Sequence, residues 1–160
     1  MKVLSIAAAA FAFLAVAGAS PVNLEARQTC VKLTQKEAED RLKANGITAS
    51  SSGNCTDRKK SNCTSYEGIC SHTVNGVIAL KKGVGRNLVI TGGTETGHAS
   101  GTYSHANGYK VDLRLIPEIE AYVKKNFEKG SNRNGDPRWY SPSGNEFVKE
   151  SNHWDVTFYP

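Results

Sequence analysis

Apolar and polar positions follow a helical period in some stretches of the chain and a strand period in others. Apolar residues at helical spacing predict three amphipathic helices, over residues 35–45, 74–83 and 117–127. Shorter apolar runs predict strands over residues 87–91, 138–140, 145–149 and 153–158. The order of these elements favours a single α+β fold, with an antiparallel sheet and helices on one side of it.

An Asn107-Gly108 pair lies at the centre of a further alternating stretch and predicts a two-residue hairpin turn. In that hairpin His105 would lie opposite Lys110, and Asp112 would point to the same face of the strand as Lys110. His105 and Asp112 would then be diagonal neighbours, roughly 7–8 Å apart at their Cα atoms. An imidazole and a carboxylate at that distance can share a metal ion.

The N-terminal residues 1–19 have the features of a secretory signal peptide, namely the positive residue Lys2, an Ala-rich apolar run and a small-residue cleavage site. The apolar run is shorter than the roughly 20 residues that a membrane span requires. We assign residues 20–27 to a short propeptide that would end at Arg27. The expected product is a secreted, extracellular protein without membrane contact.

The four cysteines lie close together after this leader, in a segment rich in Ser, Asn and Gly. An even number of cysteines in a secreted protein predicts two disulfides, for which three pairings remain open. A four-thiolate zinc site is the alternative, but the segment lacks a C-x-x-C pair. Two Asn-x-Thr sequons predict a glycosylated surface here. We assign residues 28–72 to a disulfide-stabilised segment and residues 73–160 to the functional core. The cysteines are Cys30, Cys55, Cys63 and Cys70.

Composition narrows the class of protein without naming its partner. The chain is 39% hydrophobic and 22% charged, which suits a globular domain and excludes disordered and fibrous classes. Its formal net charge of +5 suits an anionic partner but is too small to require a nucleic acid.

A second group of candidate residues lies near the C-terminus, where Glu150 precedes His153 by three positions. Together, His105, Asp112 and His153 offer the donor atoms of a catalytic zinc site, whose fourth position is left for water. Glu150 is then the candidate base for that water. Asp155 follows on the same strand face as His153, and we predict that it orients the metal site from outside the ligand shell.

The spacing H-x-x-G-x-x-x-D from His105 to Asp112, followed by E-x-x-H-W from Glu150, resembles the zinc D-Ala-D-Ala carboxypeptidases. That family shares its fold with lysostaphin-type peptidases and the hedgehog signalling domain, and the resemblance covers about residues 73–158. It implies that His105, Asp112 and His153 bind Zn²⁺ and that Glu150 is the catalytic base. The implied enzyme is a monomeric carboxypeptidase or endopeptidase. Its partners would be peptidoglycan stem peptides with D-amino acids, and neither a nucleic acid nor a membrane.

Two positions depart from the pattern of that family. Lys110 stands where the family has a small residue, and Glu95 falls where the family has the arginine that stabilises the developing oxyanion. The candidate replacements for this arginine are His98, Arg133 and Arg138, and the sequence does not choose among them.

Two other functions remain open at this stage. A secreted ribonuclease could use Glu150 with His105 or His153 as a metal-independent acid–base pair, although Asp112 would then have no role. A hedgehog-like module could keep zinc for binding alone, which the absence of the arginine at Glu95 allows. Retention of Glu150 argues against that second function, because a structural zinc needs no base.

Overall fold

A computed structural model describes residues 29–160, so the predicted signal peptide and propeptide lie outside the described residues. The three predicted helices are present as α1 (Gln35–Ala44), α2 (Ser71–Val84) and α3 (Pro117–Asn126). The described strands are β1 (Lys32–Leu33), β2 (Ile47–Ala49), β3 (Ile69–Cys70), β4 (Leu88–Gly92), β5 (Lys110–Arg114), β6 (Glu128–Lys129), β7 (Arg138–Tyr140), β8 (Glu146–Lys149) and β9 (His153–Thr157). The predicted α+β class is confirmed.

Seven strands form one mixed sheet in the order β2-β4-β5-β9-β8-β7-β6, and β1 pairs with β3 in a small antiparallel ladder. All neighbours in the large sheet are antiparallel except β2 and β4, which run parallel. The prediction of a wholly antiparallel sheet is therefore wrong at this edge. A parallel pair needs a long crossover connection, and here the chain between β2 and β4 contains α2.

Local sequence signals set the helix ends. The hydroxyl of Thr34 accepts a hydrogen bond from the amide of Glu37, whose carboxylate accepts one from the amide of Thr34, forming a capping box at the start of α1. The second helix runs past Gly83 and ends before Gly85, which adopts the left-handed conformation. Gly83 instead allows close packing, because a Cβ there would lie 2.4 Å from the ring of Tyr122 on α3.

One hydrophobic core joins the helices to the sheet. Val74 and Val77 of α2 and Trp154 of β9 have no exposed surface, and Ile119 of α3 is almost fully buried. Burial of such side chains contributes roughly 1.5–3 kcal/mol each. None of the described helices is long and apolar enough to cross a membrane.

Two disulfides cross-link the N-terminal part of the described chain. They are Cys30–Cys70 and Cys55–Cys63, so one of the three open pairings is selected. The first joins the start of this part of the chain to the residue before α2. The second closes a short surface loop that contains Asn62, while Asn54 lies just before it, and both sequon asparagines are exposed. The disulfides suggest an extracellular or otherwise oxidising environment.

The disulfide-bonded segment also supports the loops that follow β4 and precede β5. The guanidinium of Arg58 donates to the carbonyl oxygens of Thr94 and Ala106, at 3.2 and 2.5 Å. The carbonyl of Ser65 accepts the amide of Thr94 at 2.7 Å. This segment therefore fixes the backbone of the two loops from which the candidate site is built.

Candidate metal centre

Asp112 lies at the centre of the site, on strand β5 in the middle of the sheet. It is paired with Gly92 of β4 on one side and with Asp155 of β9 on the other, and it is 8% exposed. Gly92 leaves the space that the carboxylate of Asp112 occupies, because a Cβ at Gly92 would lie 2.2 Å from Asp112 Oδ2. The sheet thus holds an acidic group in a largely buried position.

His105 reaches Asp112 from a turn, and the predicted hairpin is wrong. The amide of Gly108 donates to the carbonyl of His105 at 2.8 Å, and the amide of Tyr109 donates to Ser104 at 3.1 Å, so the chain coils tightly before β5. Both edges of β5 are already paired, with β4 and with β9, which leaves no edge for a hairpin partner. The tight turn nevertheless brings His105 Nε2 to 3.3 Å from Asp112 Oδ1.

A backbone contact fixes the orientation of the His105 ring. Its Nδ1 lies 2.8 Å from the carbonyl oxygen of Gly93, which can only accept a hydrogen bond. Nδ1 is therefore the ring nitrogen that donates to Gly93, which leaves Nε2 as the atom that faces Asp112 and would bind a metal ion. This backbone contact is the kind that orients a histidine ligand around a metal.

His153 and Glu150 enter the same site from the start of β9. The amide of Glu150 donates to the carbonyl of His153 at 3.0 Å, closing a tight turn between them. His153 Nε2 lies 3.4 Å from Asp112 Oδ1 and 3.4 Å from Glu150 Oε2. The fold therefore brings together the predicted metal-binding residues and the predicted base.

One oxygen atom in this cluster has no hydrogen-bond partner in the described protein. Asp112 Oδ1 is buried and accepts no hydrogen bond, although His105 Nε2 and His153 Nε2 are its close neighbours. A buried carboxylate oxygen needs a positive charge beside it, which either a bound cation or a protonated imidazole supplies.

His98 is a member of the site that the sequence analysis named only as a candidate oxyanion donor and not as a metal ligand. Its Nδ1 lies 3.8 Å from Asp112 Oδ2, and its ring stacks on His105 with centroids 3.8 Å apart and planes at 14°. Within residues 29–160, the group of three side chains close enough to hold a metal ion is His98, His105 and Asp112. The signal was available, because Glu95 and His98 have the same E-x-x-H spacing as Glu150 and His153.

Glu95 does not face the cleft but is buried beneath His98, at 2% exposure. Its carboxylate accepts hydrogen bonds from the amides of Ser65 and Gly93 at 2.7 and 3.0 Å and from His98 Nε2 at 3.0 Å. Burial acts to raise the pKa of Glu95, but the hydrogen bonds from His98 and the two amides hold that pKa below its usual value. The hydrogen bond that His98 donates to Glu95 raises the pKa of His98, and the negative charge of Asp112 raises it further.

Asp155 contacts two cations near the site and makes no hydrogen bond to His153. Its carboxylate accepts from Lys110 Nζ at 2.8 Å and pairs with Arg133 Nη2 at 3.1 Å. Burial acts to raise the pKa of Asp155, but these two cations hold it below the usual value. Arg133 Nη2 also lies 3.1 Å from Glu150 Oε1, so Asp155 acts on the site through Arg133.

The site opens into a cleft of about 440 Å³. His98, Lys110 and Glu150 line it, together with a glycine-rich loop over residues 97–101. Of the three candidate replacements for the arginine, only His98 is among the lining residues. The site therefore places three histidines, two aspartates and a glutamate around one accessible space.

Replacing Gly92 by alanine tests whether the position of Asp112 matters. The added methyl group would overlap Asp112 Oδ2 and push the carboxylate away from the histidines. We expect metal affinity to fall about 10–100-fold, as it does when groups that orient a ligand are lost. Gly92 lies in strand β4 without a positive φ, so the alanine adds this contact without backbone strain. Unchanged metal binding by G92A would contradict the role of Asp112.

Comparison of the chain with protein-family models, with curated proteins and with solved structures found no match.

Proposed function

We propose that this protein is a secreted zinc metallopeptidase that hydrolyses D-amino-acid peptide bonds of bacterial peptidoglycan. The observation that carries the proposal is the buried Oδ1 of Asp112, which lacks a hydrogen bond and lies within 3.4 Å of two imidazole nitrogens. A cation bound by all three residues would balance the carboxylate and use both lone pairs.

The donor set and its spacing favour zinc. Bonds of about 2.0–2.1 Å in a tetrahedral shell place neighbouring ligand atoms roughly 3.3–3.4 Å apart. The Nε2 atoms of His105 and His153 lie 3.3 and 3.4 Å from Asp112 Oδ1, but His153 is not in the group whose ligand atoms all lie within 4.8 Å of one another, so its ring would have to turn toward His105 to bind the same ion. Two imidazoles and one carboxylate suit zinc, and three protein ligands leave a position for water.

His153, rather than His98, is the third ligand in this proposal. The lone pairs of an imidazole lie in the plane of its ring, and the rings of His98 and His105 are nearly parallel, with centroids 3.8 Å apart. Two such rings cannot both direct a lone pair at one ion about 2 Å away. His153 approaches Asp112 from a separate strand and does not have this restriction.

The residues around the metal supply the rest of the mechanism. Zinc in such a site polarises a carbonyl group and lowers the pKa of a bound water to about 7. Arg133 holds Glu150 Oε1, while Glu150 Oε2 faces His153 and the cleft. Glu150 can therefore accept the proton of the attacking water and deliver it to the leaving amine.

The substrate class comes from the resemblance to zinc D-Ala-D-Ala carboxypeptidases. That resemblance is supported by the meeting of both of its motifs, from His105 to Asp112 and from Glu150 to His153, in one cleft. A cleft of this size accepts a short peptide. The basic chain, with its net charge of +5, is suited to the anionic bacterial cell wall.

Metal analysis combined with two substrates tests this function. The mature protein is analysed for metal and then incubated with purified peptidoglycan and with RNA, each with and without chelator. Chelator-sensitive release of D-alanine or of new amino groups is expected. Cleavage of RNA that is indifferent to chelator would identify a ribonuclease instead, and bound zinc without either activity would identify a binding module. Either of these results overturns the proposed peptidase.

A further inference from the structure

Two tyrosine side chains form an aromatic patch at the rim of the cleft. Tyr103 lines the cleft itself and is partly exposed. The ring of Tyr159 packs edge to face with Tyr103, with centroids 5.0 Å apart and planes at 81°. Tyr159 is 37% exposed, and every other aromatic side chain among residues 29–160 is more buried. The patch therefore extends the cleft with aromatic surface that is open to solvent.

The fold holds both rings in place before any ligand binds. Tyr109 also packs edge to face with Tyr103, with centroids 5.1 Å apart. The amide of Phe158 donates to the carbonyl of Tyr109 at 2.9 Å, and the amide of Tyr159 donates to Asn145 Oδ1 at 3.0 Å. A rigid tyrosine surface loses little conformational entropy when it binds a ligand.

The chemistry of the patch suits a sugar ring. The face of a tyrosine ring is slightly negative, and it attracts the slightly positive C–H groups on the face of a sugar. The tyrosine hydroxyl groups can both donate to and accept from the polar groups at the edge of the sugar. A protein partner would instead need roughly 800 Å² of surface, far more than two side chains offer.

The cleft beside the patch disfavours a nucleic acid, the other ligand that stacks on aromatic rings. Its lining includes the carboxylates of Asp112, Glu150 and Asp155 but only one lysine, Lys110. Such a lining is a poor match for a phosphate backbone, whose binding depends on several neutralising cations.

The position of the patch fits the proposed substrate. Tyr103 is two residues before His105, and two residues span at most about 7 Å. The stem peptides of peptidoglycan are short, and each is joined to a sugar of the glycan strand. A peptide held at the proposed metal site can therefore place its sugar on the neighbouring tyrosines.

We propose that Tyr103 and Tyr159 form a subsite that binds a sugar ring of the glycan strand by stacking. The link to the glycan strand rests on the proposed function. Binding of the sugar itself requires neither a metal ion nor peptidase activity.

A linear tetramer of N-acetylglucosamine without peptide is the probe, and its binding to the mature protein is measured by titration calorimetry. Tyr159→Ala removes the exposed ring, and Tyr159→Phe keeps the ring without its hydroxyl group. Tyr122→Ala is the control, because this half-buried tyrosine packs on Phe127 beside α3 and does not line the cleft. Circular dichroism checks that each variant is folded.

We expect the affinity for the tetramer to fall about fivefold to tenfold in Tyr159→Ala and less than about twofold in Tyr159→Phe and Tyr122→Ala. With a stem peptide still joined to its glycan strand, Tyr159→Ala should raise KM and leave kcat nearly unchanged. With the free stem peptide it should change neither constant. Failure of the unaltered protein to bind the tetramer, or equal affinity in Tyr159→Ala, would overturn the subsite.

The same measurements separate the subsite from the proposed peptidase. Tetramer binding that depends on Tyr159, without cleavage of any stem peptide, would reject the peptidase and support the subsite. Cleavage of stem peptides without tetramer binding would reject the subsite and support the peptidase. Binding of a single-stranded RNA through Tyr159, in place of the tetramer, would also overturn the sugar assignment.

Discussion

Glu150→Gln is expected to lower kcat on peptidoglycan peptides by about 10²–10⁴-fold while the protein keeps its metal. Glutamine has the same shape as Glu150 and can still contact Arg133 through its carbonyl oxygen, but it cannot accept the proton of the attacking water. Because Glu150 is not one of the proposed ligands, metal affinity should change little. Steady-state kinetics together with metal analysis separates these two effects.

Glu128→Gln is the matched control, because Glu128 is an exposed glutamate on β6 without an ion pair among the described residues. It makes the same chemical change outside the cleft and should leave kcat unaltered. Full activity in Glu150→Gln would show that another group accepts the proton. A parallel loss of metal would instead show that Glu150 contributes to binding the ion.

The elements with local signals were predicted correctly. The capping box of Thr34 and Glu37 marks the start of α1, and the helical spacing of apolar residues marks α2 and α3. Strand β2 was not predicted, because three residues at Ile47–Ala49 carry too little periodicity, and its pairing with β4 depends on the crossover through α2. Pairing across that distance is decided by tertiary packing.

The meeting of His105 and Asp112 was predicted for the wrong reason. The turn signal at Asn107 and Gly108 is real, but it produces a coiled turn because β5 is enclosed by β4 and β9. His105 and Asp112 are close in both arrangements, because the predicted hairpin and the observed coiled turn each bring His105 back beside strand β5.

His98 shows where sequence reasoning reaches its limit. Its importance depends on the buried carboxylate of Glu95, and that burial depends on amides from the disulfide-bonded segment at Ser65. No local sequence pattern predicts a contact among His98, Glu95 and the amide of Ser65. The E-x-x-H spacing from Glu95 to His98 was the one clue, and an exposed loop position is the ordinary expectation for such a histidine.

Asp112→Asn is expected to abolish the stabilisation that bound metal gives to the folded protein. The carboxylate of Asp112 is the charged ligand between His105 and His153, and an amide binds zinc far more weakly. We expect metal affinity to fall by roughly a thousandfold or more. This loss is larger than the 10–100-fold loss caused by removing a residue that only orients a ligand. His153→Ala should have a similar effect, whereas His98→Ala should not.

Thermal unfolding with and without chelator measures this effect independently of any substrate. Metal at about 100 times its dissociation constant adds about 2.7 kcal/mol to the free energy of unfolding. Chelator should therefore lower the Tm of the unaltered protein by several degrees and leave the Tm of Asp112→Asn unchanged. An equal response to chelator in both proteins would place the metal away from Asp112.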